Sequence, residues 1–298
     1  MEDTGKFEAR YLAFLETLGP LRPRLHRYCA RMTGSIMDGE DVVQDALFRA
    51  YRNLEMWDDN RPLTPWIFRI AHNQCIDFLR SRGVRIEAEA AVAAPDFTEP
   101  GDPIGPAIGP AIEHLVMNLP PKERACVLLK DVFEYSLEEI AELVESTAGG
   151  VKAALNRGRS KLESLQNMPA APRGSTPGNQ QILRLYVDRF NSRDWDGLRE
   201  LISADARLLV ADRYSGSFAA GDYLGVYSRM KQIWRLAMGE VDGEPSIVVV
   251  NQRNGVWEIE GVIRLGIRAD GQVERVSDYQ HCPWMLTAGS IVVRDVFA

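Results

Sequence analysis

The period of the hydrophobic residues changes once along the chain, and that change limits the fold more than any other feature. Up to about residue 165, apolar side chains recur every three or four residues, the spacing of amphipathic helices. From about residue 206 they alternate or cluster in short β-rich runs. The switch follows NMPAAPRGSTPGN (167–179), a Pro-, Gly- and Ser-rich stretch suited to a linker. A second such stretch, within 84–109, contains AAPDFTEPGDPIGPAIGP and is net acidic. A chain of 298 residues exceeds one typical small core. The expected organisation is a helical domain over 8–83, a linker over 84–109, a second helical domain over 110–166, a linker over 167–178 and an α+β domain over 179–298.

In the first block, Leu12, Leu15, Leu18, Leu25, Tyr28, Cys29 and Met32 share helical spacing. A second helix is predicted from near Asp38 or Gly39, with Val42, Val43, Ala46, Leu47 and Ala50 inward. A third is predicted over 65–81, with Pro at its start, basic residues at its end and Gly83 just beyond. The second block reads as four helices: 111–117, one opening on LPPKER, one capped by Ser136, and a last one capped by Ser146 or Thr147. Ser136 followed by Glu139 forms a capping box. The third block opens with helices over 181–194 and 195–202. Strands are predicted around 206–212, 245–251, 256–267, 273–282 and 290–297, with a helical stretch at 219–238 between them. Helices followed by a curved antiparallel sheet make an α+β pattern.

Composition sets few further bounds. No apolar run reaches membrane-spanning length, and the polar, acidic start MEDTGKFEAR has no signal-like region, so the expectation is a cytoplasmic protein. Cys29, Cys75, Cys126 and Cys282 are dispersed, which favours buried thiols over a zinc site or a disulfide framework, and no metal or cofactor is expected. A net charge of −7 argues against indiscriminate coating of nucleic acid.

Charge is sorted locally, however. Between Thr147 and Lys161 there are four cations (Lys152, Arg157, Arg159 and Lys161) and no acid, whereas the preceding helix carries Glu138, Glu139, Glu142 and Glu145. Val151, Leu155, Gly158 and Leu162 share the face that packs on Ile140 and Leu143, leaving Lys152 and Asn156 on the other side. Small Ala141 permits the close crossing of a helix-turn-helix. Lys152 and Asn156 are placed to reach base edges and Arg157, Arg159 and Lys161 to grip phosphates, with Thr147 a further DNA-binding candidate at the helix start.

LPPKERACVLLKDVFEYSLEEIAELVESTAGGVKAALNRGRSKL resembles region 4 of the extracytoplasmic-function (group IV) sigma factors. GEDVVQDALFRAYRN (39–53) resembles the core-binding helix of region 2 of that family. TPWIFRIAHNQCIDFLRSR (64–82) resembles the helix that melts and reads the −10 element. Together they cover residues from about 10 to 166. The resemblance implies two all-α domains and core RNA polymerase and promoter DNA as partners. It implies polymerase binding by Asp41, Gln44 and Asp45, which share one helix face. It implies contact with melted DNA by Trp66, Arg69, His72, Asn73, Arg80 and Arg82, with the loop 57–64 holding a flipped base. Trp66 and Phe68 are open to base stacking or to core packing. The Gly149-Gly150 pair is unusual at the start of a recognition helix, where each glycine costs about 1 kcal/mol relative to Ala.

LRLYVDRFNSRDWDGLRELISADARLLV resembles the start of SnoaL-like domains, cone-shaped α+β barrels with a deep pocket. The resemblance implies a fused domain that controls activity, with a small-molecule ligand as a candidate partner. Trp195, Trp234, Trp257, His281 and Trp284 are candidate pocket residues. Enzymes of this fold use Asp and His, but alternation puts Asp278 and Gln280 on one face and Tyr279 and His281 on the other, so an Asp278–His281 dyad is not expected. Asp212 or Asp222 remains a candidate partner for His281. The expected function is that of a sigma factor without enzymatic activity. Its rivals are a polymerase-independent, ligand-sensing regulator and a SnoaL-like enzyme fused to a DNA-binding module.

Overall fold

The computed structural model describes residues 2–58, 60–92, 117–165, 177–230 and 234–294. The chain forms two compact units, residues 1–171 and 172–298. Residues 111–116 of the helix expected over 111–117, and most of both expected linkers, lie outside the described residues.

In the first unit, α1 (Glu2–Thr33), α2 (Ile36–Arg52) and α3 (Leu63–Val92) pack around Leu25, Tyr28, Met32, Val43, Ala46, Ile67, Phe68 and Ala71. Ser35 caps α2 by accepting from the Asp38 amide at 3.3 Å. The α1–α2 crossing depends on Gly39, because a Cβ there would stand 2.5 Å from the Ala30 nitrogen and 2.6 Å from its Cα. α3 does not stop before Gly83 as predicted. It runs through that glycine to Val92, because VRIEAEAAV is made largely of helix formers and one interior Gly costs only about 1 kcal/mol.

The rest of this unit is α4 (Pro121–Val127), continued by a wide turn over Leu128–Val132, then α5 (Leu137–Leu143) and α6 (Ala148–Leu165). Proline at the start of α4 and the full Ser136–Glu139 capping box at α5 match the signals in the sequence. Both modules share one continuous core, in which Phe133 packs edge-on to Tyr28 (5.8 Å between ring centres) and to Phe68 (6.3 Å). Buried Arg124 donates to the Met32 carbonyl at the end of α1, and also to the carbonyls of Met117 (2.7 Å) and Leu119 (3.1 Å). A cation there meets the negative end of the α1 dipole. Burial lowers its pKa to about 10, which leaves it charged at neutral pH.

The second unit has α7 (Pro177–Asn191) and α8 (Trp195–Leu201), followed by strands β1 (Ile202–Val210), β2 (Tyr214–Ser217), β3 (Trp234–Val241), β4 (Glu244–Arg253), β5 (Val256–Ile267), β6 (Val273–Asp278) and β7 (Ile291–Val293). A short α9 (Tyr223–Arg229) lies between β2 and β3 in sequence. Helices, strands and an intervening helix make the α+β arrangement expected, but the sheet is mixed. Its order is β2-β1-β6-β5-β4-β3-β7, with β1 and β6 parallel and every other pair antiparallel. The stretch 219–238, predicted helical, divides into α9 and the start of β3. Trp234 to Val241 instead find ladder partners in β4, and Gly239 lets β7 approach: a Cβ there would lie 2.6 Å from the Val292 carbonyl oxygen. Asn191 joins α7 to β3 by donating to the Leu236 carbonyl (2.8 Å) and accepting from its amide (2.9 Å).

Gly39→Ala should lower the unfolding free energy of the first unit by about 1–3 kcal/mol, because the added methyl meets backbone atoms that cannot rotate away. Denaturant titration against wild type measures this; an unchanged midpoint would show that the crossing tolerates a side chain.

Candidate nucleic-acid interface

α6 is held by one face and open on the other. Val151, Ala154 and Leu155 are buried against α4 and α5. Gly158 permits that approach, since a Cβ there would lie 2.9 Å from Val127 Cγ2. Thr147 caps the helix, accepting from the Gly150 amide at 3.1 Å. The second glycine has a steric reason: a Cβ at Gly150 would stand 2.7 Å from the Ser146 hydroxyl and 3.2 Å from the Thr147 hydroxyl that caps the helix. Thr147, Lys152, Asn156 and Lys161 are exposed. Arg157 is exposed but bonded to Glu123 at 2.7 Å, and Arg159 makes a two-toothed pair with Asp131. These exposed pairs are weak enough to exchange for phosphate. Lys152 and Asn156 are exposed one turn apart on the same side of α6, while Lys161, nine residues from Lys152, is exposed on the other flank of the helix.

α3 splits the residues singled out on it. Asn73 is exposed, and Trp66 and Arg69 are half-buried. Arg80 is exposed beside Asp77 (3.2 Å), and Arg82 reaches Asp38 (3.1 Å). His72 departs from the expectation of an outward DNA contact. It is 6% exposed and shares a 2.8 Å hydrogen bond with the Tyr28 hydroxyl. The reason is its spacing: Phe68, His72 and Cys75 fall on one stripe, and the other two are core residues. Burial pushes the His72 pKa down from 6.5 to about 4, so it is neutral at physiological pH. Of the proposed polymerase face, Asp45 is exposed and Asp41 and Gln44 are half-buried, with exposed Phe48 beside them on α2.

The loop after α2 borders a cleft of about 560 Å³. One wall carries Trp57, Arg61, Trp66 and Arg69, and the other Tyr135, Glu139 and Glu142. The sequence placed Trp66 and Arg69 there but gave no sign of the acidic wall, because pairing across modules leaves no local pattern.

In the second unit, the five expected pocket residues do not gather. Trp195 and Trp234 meet at Phe190 (5.4 and 4.9 Å between ring centres), Trp257 and Trp284 are half-buried, and His281 is exposed. A cavity of about 400 Å³ is lined instead by Arg199, Ile202, Phe218, Asp222, Tyr223 and Leu224, among others. Asp278 is buried, with Oδ2 accepting from Tyr223 (2.8 Å) and Tyr227 (2.5 Å) and Oδ1 from the Gln280 amide (2.9 Å). Burial raises its pKa against the pull of these hydrogen bonds. The Tyr227 oxygen also lies 3.0 Å from Gln280 Oε1, and one phenolic proton cannot serve both acceptors. The i, i+4 pair Tyr223 and Tyr227 was the available sequence signal for this network.

An exposed basic helix in one module thus accompanies a helix with aromatic and basic groups in the other. The family of sigma-70 region 2 matches residues 19–85, and that of sigma-70 region 4 matches residues 110–162. The chain is 32% identical over 162 residues to the ECF RNA polymerase sigma factor SigW of Bacillus subtilis, covering 50% of this chain and 87% of SigW. It is also 32% identical over 216 residues to the ECF sigma factor SigG of Mycobacterium tuberculosis, covering 63% of this chain and 58% of SigG. A similar solved structure is that of the M. tuberculosis extracytoplasmic function sigma factor SigJ, at 17% identity and a TM-score of 0.36, covering 92% of this chain and 98% of SigJ. The chain belongs to the extracytoplasmic-function family of RNA polymerase sigma factors. Among the described residues, no helix is long and apolar enough to cross a membrane.

His72 ties pH to stability. Its folded pKa is depressed, so its contribution is complete above pH 6.5 and is lost as pH falls toward 4, by roughly 3 kcal/mol. An NMR titration should place its midpoint near 4; a midpoint near 6.5 would contradict its burial.

Proposed function

We propose that this protein recruits core RNA polymerase to promoters, reading the upstream element with α6 and opening the −10 element with α3. The observation that carries this reading is the match of both sigma modules, in order, together with the exposed Lys152–Asn156 face of α6. Lys152 and Asn156 contact base edges, Arg157 and Arg159 exchange their intramolecular partners for phosphate, and Lys161 meets phosphate directly. Trp66, Arg69, Asn73, Arg80 and Arg82 meet melted DNA, and Asp41, Gln44 and Asp45 meet the polymerase. His72 acts from within, orienting α3 through Tyr28. In-vitro run-off transcription with core enzyme tests the reading. Transcripts should require both partners, and Lys152→Ala with Asn156→Ala should reduce promoter binding roughly tenfold or more, since a good base-edge contact is worth about 1–3 kcal/mol. Equal promoter binding without core enzyme would favour an independent regulator instead.

The second unit is read as a SnoaL-like regulatory domain that modulates this activity, with the 400 Å³ cavity as its candidate ligand site. It is read as non-enzymatic: the Asp278 carboxyl is engaged by Tyr223 and Tyr227, while His281 faces solvent. Truncation after Gln166 should change run-off output while retaining polymerase binding. Unchanged output would remove the regulatory role.

A further inference from the structure

The second unit fills its interior with its own aromatic side chains. Phe190 of α7 packs on Tyr186 (6.1 Å between ring centres), Tyr227 (5.3 Å) and Trp234 (4.9 Å), and Tyr227 packs on Trp234 (4.4 Å). The 400 Å³ cavity is built elsewhere, where the end of α8 and the start of β1 meet the loop after β2 and the first turn of α9. Ile202, Phe218 and Leu224 give it an apolar surface. Tyr223 is a fixed part of its wall: the ring packs edge-on to Phe218 (5.8 Å), and the hydroxyl donates to buried Asp278 (2.8 Å). A wall held in this way is formed before any ligand arrives. The two charged residues of the described lining, Arg199 and Asp222, differ in what they can offer. The Asp222 carboxylate is paired with Arg229 at 2.8 Å and folds over its own helix, into the space that a Cβ at Gly225 would need. Arg199 has one ionic partner among the described residues, Asp196, at 2.6 Å through Nη1, and the Asp196 side chain is 94% exposed. A guanidinium carries more donors than that bond uses, and a pair so open to water exchanges readily.

We propose that this cavity takes a small apolar monocarboxylic acid, with its carboxylate on Arg199 and its hydrocarbon body against Ile202, Phe218 and Leu224. The inference rests on the reading of the cavity as the ligand site of a regulatory domain. A carboxylate matches the planar fork of a guanidinium and replaces Asp196 as its partner. The seated body excludes water from one side of that contact, which strengthens it relative to the open pair with Asp196. Asp222, on the same lining, opposes a second negative charge, so a monoanion is favoured over a dicarboxylate or a phosphate monoester.

Titration calorimetry on the full chain tests this with three probes that share one body: 4-phenylbutyrate, the neutral 4-phenylbutyramide and the cationic 4-phenylbutylamine. The acid should bind roughly tenfold or more tightly than either of the others. Arg199→Gln should bring the acid to the level of the amide. Ala219→Trp, which fills the cavity from an exposed position, should weaken all three. Both substituted residues are exposed, and melting temperatures equal to that of wild type check that the variants fold. Amide or amine binding as tightly as the acid would overturn the acid class while leaving the ligand site in place. An acid preference that survives Arg199→Gln, or acid binding that survives Ala219→Trp, would place the contact elsewhere and overturn the proposal. If none of the three binds, the proposal falls together with the reading of the cavity as a ligand site, and the regulatory role is still decided by the truncation after Gln166.

Discussion

Tyr28 is the point on which the first unit turns. Its ring contacts Phe68 of α3 and Phe133 of the second module, and its hydroxyl bonds His72. A buried hydroxyl and a buried imidazole each carry a desolvation cost that only a partner removes. Each is the partner of the other, and that pairing fixes the rotation of α3 about its axis. With the rotation fixed, Asn73 and Arg80 face outward and Trp66 and Arg69 line the cleft. The outward side of α3 is thus set by what its inner side must bury.

The same logic separates the two modules in kind. α6 displays its cations because small residues, Gly158 among them, let its other face sink against α4. α3 displays only part of its polar set, because its inner stripe includes a histidine. Arg124 joins these arrangements by capping the end of α1 from α4, so the two modules share a side-chain-to-backbone hydrogen bond as well as apolar contacts.

Legibility followed locality. The capping box at Ser136–Glu139, the Pro121 start and the strand over 256–267 were readable because a few neighbouring residues specify each one. The end of α3 was not readable, because Gly83 weakens a helix that its flanking residues then sustain. β3 was missed because WRLAMGEV suits either state until β4 and β7 flank it. In the site, the exposed positions of α6 followed from period alone. His72 was misplaced although its spacing from Phe68 and Cys75 carried the signal. The acidic wall and the Tyr223–Tyr227–Asp278 network join residues distant in sequence, such as Tyr223 and Asp278, and no window along the chain contains both.

The parallel pairing of β1 with β6 sets an order of assembly. Leu208 of β1 lies beside Val276, so this pair can form only once β3, β4 and β5, which lie between the two strands in sequence, have been synthesised. The first unit precedes both strands in sequence and is synthesised in full before that pairing is available. During synthesis its helical modules therefore exist for a time while the sheet is unfinished. β1 spends that interval with only β2 to pair with, which makes it the strand most in need of protection from aggregation.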